Sequence, residues 1–175
     1  DRAEELAVVM RSQFEDASGL TSDSNSDLQD TIASLRSRGG FFFTSLGARE
    51  DVNQAIHGWG GVVMHDVISN VFAHKAIEKG ADGLIAVAAG AGGHASVKSP
   101  FAMIQEIRAW FDGPLALSGS MASGGAILAA QAMGADFAYI GTAFIATDEA
   151  RALDAYKDMI VASAAKDIVY SSLFT

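Results

Sequence analysis

The sequence predicts an α/β fold in which parallel strands alternate with covering helices, and three observations predict it. From Gly40 onward, the short apolar runs "FFFTSL", "GVVMHDV", "DGLIAVAA", "PLALSGS" and "DFAYIGT" alternate with amphipathic helical stretches. These runs are apolar on both faces, as strands buried from both sides must be. Gly-Ala-Asp also recurs between a helix end and the next strand, in "KGADGLIAV" and again in "MGADFAYIG". The spacing between units varies, which marks repeated βα units rather than a solenoid. A closed barrel and a doubly wound sheet both satisfy this pattern.

Each element has legible ends. Residues 1–36 predict a helix over "AEELAVVMRSQF", a solvated Ser- and Asp-rich loop over "SGLTSDSNSD", and a second helix over "LQDTIASLRSR". Ser69 is placed to cap "NVFAHKAIEK" before Gly80. Ser99, with Pro100 at the first helical position, opens "FAMIQEIRAWFD", in which Phe101, Ile104 and Ile107 predict one buried face. Ser123 precedes "GGAILAAQAM", which stops at Gly134, and Thr147 precedes the helix expected over "DEARALDAYKDMIVASAA". The three phenylalanines Phe41 to Phe43 predict sheet core.

Composition narrows the function. The 175 residues are half hydrophobic, enough for one domain with a sizeable core. Twenty-one acidic against 12 basic residues give a formal charge of −9, which disfavours nucleic acid or an anionic membrane as partner. No run approaches the ~18 apolar residues of a membrane span, and no signal peptide opens the chain, so a soluble, cytoplasmic protein is expected. The absence of cysteine removes disulfides, thiolate metal sites and cysteine nucleophiles. The four histidines lack metal-site spacing, and no metal is expected.

In parallel α/β folds the ligand sits beyond the carboxyl ends of the strands. Four such ends carry unusual residues: His65 with Asp66, the turn "GAGGH" from Gly90 to His94, Ser118 to Gly125, and Gly141 with Thr142. "SGSMASGG" places small residues at a helix start, where backbone N–H groups receive phosphate, and "IGTAF" adds a hydroxyl one unit later. Glycines alone would serve as turns; the two loops together favour a phosphate site. His94 follows its strand among small residues that leave its ring open to a ligand, so it is the candidate proton acceptor at neutral pH. His65 ranks second, as a substrate or cofactor contact. His57 and His74 lie in helical stretches and read as structural.

The ordered pattern "GADGLIAVAAGAGGH", "PLALSGSMASGG" and "GADFAYIGTAFIATDEA" resembles the nitronate monooxygenase family, formerly the 2-nitropropane dioxygenases. The resemblance runs from about Gly40 to the end and implies an FMN-binding TIM (β/α)8 barrel. It makes "GVVMHDV" the fifth barrel strand and "DFAYIGT" the eighth. It places His94 on the catalytic histidine, Gly92 and Gly93 on the backbone approaching the flavin, and Ser118, Gly119, Ser120, Gly141 and Thr142 on the FMN phosphate loops. Ser120 stands where many relatives have a second glycine, Ala143 where many have arginine, and Asp66 at a position often basic.

Five strands cannot close an eight-stranded barrel. The chain is therefore expected to be a single domain forming the C-terminal portion of the barrel, with residues 40–147 carrying strands four to eight and 148–175 a terminal helical segment. The implied activity is FMN-dependent oxidation of alkyl nitronates, or of nitroalkanes, with O2, in a protein able to form homo-oligomers. Two alternatives stay open: an NAD(P)H-dependent enoyl reductase of similar build, and a non-catalytic flavin- or phosphate-binding fragment.

Overall fold

The computed structural model describes residues 40–171. The two helices and loop expected over residues 1–36 lie outside them. Five strands follow the chain in order: β1 (Phe41–Thr44), β2 (Val62–Val67), β3 (Gly83–Val87), β4 (Leu115–Ser118) and β5 (Phe137–Tyr139). Between and after them lie α1 (Glu50–Gly58), α2 (Asn70–Glu78), α3 (Pro100–Arg108), α4 (Gly124–Ala132), α5 (Thr142–Ile145) and α6 (Asp154–Ala162). The sheet order is β1-β2-β3-β4-β5, and the β1/β2 and β4/β5 ladders are parallel. A doubly wound sheet reverses its order at a switch point; an order that never reverses is the barrel's. The chain divides within β3, between Leu84 and Ile85, into two compact units.

In the first unit, β1 and β2 run in register from Phe41 opposite Val62 to Thr44 opposite His65. Gly61, Val63, His65 and Val67 share one face of β2 by the period-2 alternation of a strand. A Cβ added at Gly61 would lie 2.7 Å from the Ile56 side chain of α1, so this is the face that α1 covers. Val63 and Val67 are fully buried there. The phenylalanines of β1 are only partly enclosed: Phe41 is largely exposed, and Phe42 packs edgewise against Trp59 with ring centroids 6.1 Å apart.

In the second unit, Met103, Ile104 and Ile107 form the buried stripe of α3. Phe101 is exposed instead of joining it. At about 100° per residue it lies some 120° from Ile107, off the centre of the stripe that Met103 completes. Ser69 and Ser123 cap α2 and α4 by accepting the N–H of Phe72 and Ala126. Pro100 opens α3 as expected, although the Ser99 side chain makes no capping bond.

The last helix begins later than the sequence predicts, at Asp154. The Thr147 hydroxyl turns back to donate to the Phe144 carbonyl, and the Thr147 carbonyl is taken by the ammonium of Lys157 at 2.7 Å. With the residue committed to these bonds, 148–153 remain turns and α6 starts after Leu153.

The two Gly-Ala-Asp segments are one structural device used twice. Gly80 and Gly134 adopt φ of +86° and +109°, the left-handed conformation that ends a helix. The N–H of Ala81 returns to Ala76 and that of Ala135 to Ala130, closing the helix end. Each aspartate then grips the start of the preceding strand with two groups. Asp82 N–H donates to the Val63 carbonyl at 2.9 Å while its Oδ2 accepts the Val63 N–H at 2.8 Å. Asp136 does the same to Leu115, at 2.8 and 2.9 Å.

A side-chain nitrogen from the last turn of the helix before that strand completes each corner. His57 Nε2 lies 2.8 Å from Asp82, and Arg108 Nη2 lies 2.6 Å from Asp136. The structural role expected of His57 is thus specific. Arg108 also donates to the carbonyls of Phe111, Gly113 and Gly134, tying three chain segments together.

Replacing Asp136 with alanine strips a charged acceptor from both a strand N–H and a guanidinium. A loss of about 2 to 3 kcal/mol is expected in urea denaturation. Asp136→Asn, which keeps one acceptor oxygen, should lose about half of that.

Candidate functional site

The carboxyl ends of β3, β4 and β5 lie in the second unit and carry most of the candidate residues. The loop after β3 closes on itself at its base. Ser96 N–H donates to the Val87 carbonyl at 3.1 Å, and Ala89 N–H donates to the Lys98 carbonyl at 2.9 Å. Ser96 is buried, and its hydroxyl accepts the N–H of Lys98. The six residues Gly90 to Ala95 therefore project from a pinned neck. At the tip, Ala95 N–H returns to the Gly93 carbonyl at 2.8 Å, a three-residue turn with His94 at its centre. His94 is exposed and flanked by Gly93 and Ala95, so its imidazole is open while its backbone is fixed.

The neck is also locked to the end of β4. Ala88 N–H donates to the Ser118 carbonyl at 2.9 Å, and Ser120 N–H to the Gly90 carbonyl at 3.1 Å. Gly90 and Gly119 have φ of +88° and +132°. A Cβ on Gly119 would lie 2.9 Å from the Ala89 carbonyl oxygen, and one on Gly90 would collide with the Ser120 hydroxyl. Ser120 itself has φ of +51°, a left-handed backbone that glycine adopts at no steric cost. A glycine at this position would relieve that conformation.

Other glycines have no such reason. A Cβ added at Gly92, Gly124 or Gly141 would meet nothing within 4 Å, and none of these has a φ in the left-handed region. Neither packing nor backbone conformation requires glycine at these positions. Backbone left bare at the ends of β3, β4 and β5 suits a flat or phosphorylated ligand lying against it, so the residues present fit an FMN. Gly93, with φ of +70°, is required by its turn and equally open beyond it. Thr142 opens the short α5 directly after Gly141, and Ser118 ends β4 half-buried.

His65 sits in the first unit, on the α1-covered face of β2. It is 3% exposed, and its Nδ1 is 2.6 Å from the Thr44 hydroxyl across the ladder. Burial, and then the Lys79 charge, holds its imidazole below the ordinary value. Asp66, the next residue, points to the opposite face. Burial pushes its carboxyl up to about 6, opposed by a hydrogen bond from Ser45. The sequence marks both residues of "HD" as unusual at a strand end, with His65 as the expected contact. The strand's alternation, counted from Gly61, separates the two.

The family model for nitronate monooxygenase matches residues 18–175. The chain belongs to the nitronate monooxygenase family. No curated protein matches the sequence. Among solved structures, a FabK mutant from Thermotoga maritima is similar with a TM-score of 0.70 and 26% identity, over 81% of this chain and 48% of that one. Nitroalkane oxidase from Streptomyces ansochromogenes is similar with a TM-score of 0.65 and 27% identity, over 75% of this chain and 42% of that one. The chain thus spans less than half the length of either. An N-acetylmannosamine-6-phosphate 2-epimerase from Clostridium perfringens, at 21% identity and a TM-score of 0.51, shares the fold. Family membership and the unreversed strand order agree on parallel α/β architecture of the barrel type. Among the described residues no helix is long and apolar enough to cross a membrane.

Two outcomes test this geometry. Gly90→Ala should cost about 3 kcal/mol, and Ser120→Gly should add about 0.5 to 1 kcal/mol by relieving the left-handed backbone. Since the collision runs through the Ser120 side chain, the double variant should be more stable than the sum of the two by at least about 1 kcal/mol in a denaturation cycle.

The pH dependence of stability has two opposed parts. Folded His65 binds its proton less readily than the unfolded chain, so its contribution is fully present above about 6.5 and is lost as pH falls through the folded value. Folded Asp66 binds its proton more readily, so its contribution is present below about 4 and is lost as pH rises through about 6. Asp66→Asn should therefore make stability climb more steeply with pH between 4 and 7, as read from urea midpoints.

Proposed function

We propose that the protein oxidises small alkyl nitronates, or nitroalkanes, with O2, using FMN held at the carboxyl ends of β3, β4 and β5. The observation that carries this reading is the set of bare glycines at Gly92, Gly124 and Gly141, which the chain's own packing does not require, beside the exposed His94. Family membership supports the reaction class, and the nitroalkane oxidase likeness supports a nitro-bearing substrate.

FMN, when bound, supplies the redox chemistry that side chains cannot. Gly92 and Gly93 offer backbone to its flat ring, and Ser118, Gly119, Ser120, Gly141 and Thr142 offer N–H groups and hydroxyls to its phosphate. Ser120 N–H is already spent on Gly90, which leaves its hydroxyl for that contact.

His94 works on the proton. A nitro group makes the adjacent C–H acidic, and an imidazole nitrogen at a fixed turn with an open ring accepts that proton from a neutral nitroalkane. A nitronate arrives already deprotonated and needs no base. The pinned neck holds the imidazole where a bound substrate meets it, which limits the entropy lost on reaching the reactive arrangement. In the whole protein, the strands that complete the barrel would enclose the remainder of the site.

His94→Asn should lower kcat/KM for a neutral nitroalkane by about 10² to 10⁴ and leave that for the preformed nitronate within a few-fold. The proposal as a whole is tested by the flavin absorbance of the FMN-loaded protein without oxygen. Bleaching by nitronate alone is expected. Bleaching only by NADPH would replace this reading with a reductase, and failure to retain FMN would point to a fragment that does not bind the cofactor.

A further inference from the structure

We infer that Asp112, in the turn between α3 and β4, is a site of spontaneous covalent modification: it isomerises to isoaspartate with Gly113 as the attacking neighbour, and so loosens the hold of Arg108 on the turn. The site lies in the second unit and does not depend on the ligand proposed above.

The chemistry needs only the chain and water. The Gly113 nitrogen attacks the side-chain Cγ of Asp112. An N–Cγ bond forms, a Cγ–O bond breaks, and the oxygen leaves as water with the amide proton and the acid proton. Water then opens the cyclic imide. Addition at Cγ restores aspartate, whereas addition at the main-chain carbonyl breaks its bond to nitrogen and leaves the chain running through Cβ and Cγ. No electrons are transferred. The reaction is favoured where the carboxyl and the following N–H are unengaged and the peptide between them can turn, as glycine with no Cβ allows.

The chain contains two Asp-Gly pairs, at 82–83 and 112–113, and the fold treats them oppositely. The Asp82 carboxylate holds the Val63 N–H and His57 Nε2, and its own N–H is bonded to the Val63 carbonyl. Gly83 is buried at the start of β3. Turning that carboxyl toward the Gly83 nitrogen would break the corner. Asp112 is exposed instead, and among the described residues no hydrogen bond or ion pair engages its carboxyl or the peptide it shares with Gly113. The two bonds from Arg108 Nη1 run to the carbonyls of Phe111 and Gly113, one peptide to either side. The peptide that must rearrange lies between two anchors and is itself unheld.

Packing also demands the residue that makes the pair labile. A Cβ at Gly113 would lie 2.5 Å from the ring of Phe111, whose burial leaves it little room to move. Isomerisation adds a carbon to the main chain between the carbonyls that Arg108 holds at 3.1 and 2.7 Å. The same guanidinium bonds to the Gly134 carbonyl and to Asp136, so the added length reaches the corner at the start of β4.

The test keeps the folded protein in warm, mildly acidic buffer made with heavy-oxygen water. Peptide mass spectrometry then maps the incorporated oxygen, and enzymatic methylation of the α-carboxyl marks isoaspartate. Both signals should accumulate at Asp112 and be at least about tenfold weaker at Asp82, because reaction there waits on opening of the fold. In urea the two pairs should react alike. Asp112→Glu, which would have to close a larger and slowly formed ring, should lose both signals at that position. The urea midpoint of wild type should fall as the modification accumulates, while that of Asp112→Glu holds. No signal at Asp112 in the folded protein, equal signals at the two pairs there, or a midpoint that falls as fast in Asp112→Glu would overturn the inference.

Discussion

An aspartate that holds the N–H of a strand residue with its carboxylate and that residue's carbonyl with its own backbone N–H organises this protein. Asp82 and Asp136 each take the N–H of a residue near the start of the preceding strand, Val63 or Leu115, and return a backbone N–H to its carbonyl. The helix end, the new strand and the old strand are thereby fixed at one point, and the register of the parallel ladder follows. Parallel strands have no hairpin to set their register, so some such tie is needed. The nitrogen partner differs, histidine in one unit and arginine in the other, although the position in the last helical turn is the same. The device tolerates a change of partner because its two strand bonds run to the backbone.

These corners lie where the strands begin, and the open glycines lie where they end. The separation lets one end be fixed through aspartate side chains and the β3–β4 loops at the other mostly through main-chain bonds. At the carboxyl ends the fixing bonds join main-chain groups: Val87 with Ser96, Ala89 with Lys98, Ala88 with Ser118, Gly90 with Ser120. A site fixed in this way leaves its side chains, His94 above all, unspent. It also presents little bulk to whatever approaches, as a broad planar ligand demands.

Much of this was legible in the sequence. Strand runs and most helix ends are set by local chemistry: apolar periodicity, Ser caps, Pro100, and glycines at helix ends. The echo of Gly-Ala-Asp was visible, but its bonding was not, since the partners Val63 and Leu115 lie about 20 residues away. The late start of α6 was hidden because the Thr147 carbonyl is shared between a local turn to Ala150 and Lys157, ten residues on. His65 and Asp66 adjoin in sequence, yet alternation sends them to opposite faces, and only the packing of Ile56 says which face is covered. The exposure of Phe101 turned on the centre of a helical stripe, which a spacing of three and four residues does not locate.

The glycines of the "GAGGH" turn and its neighbours are of two kinds, told apart by what a side chain would meet there. Gly90 and Gly119 are held by folding itself, through backbone conformation and the closeness of Ser120 and Ala89. Among the described residues nothing stands within 4 Å of a Cβ added at Gly92, Gly124 or Gly141, and none of the three has a left-handed φ. A side chain at one of the first pair is felt by the described fold itself, whereas one at the other three projects into open space and reshapes only the surface it covers.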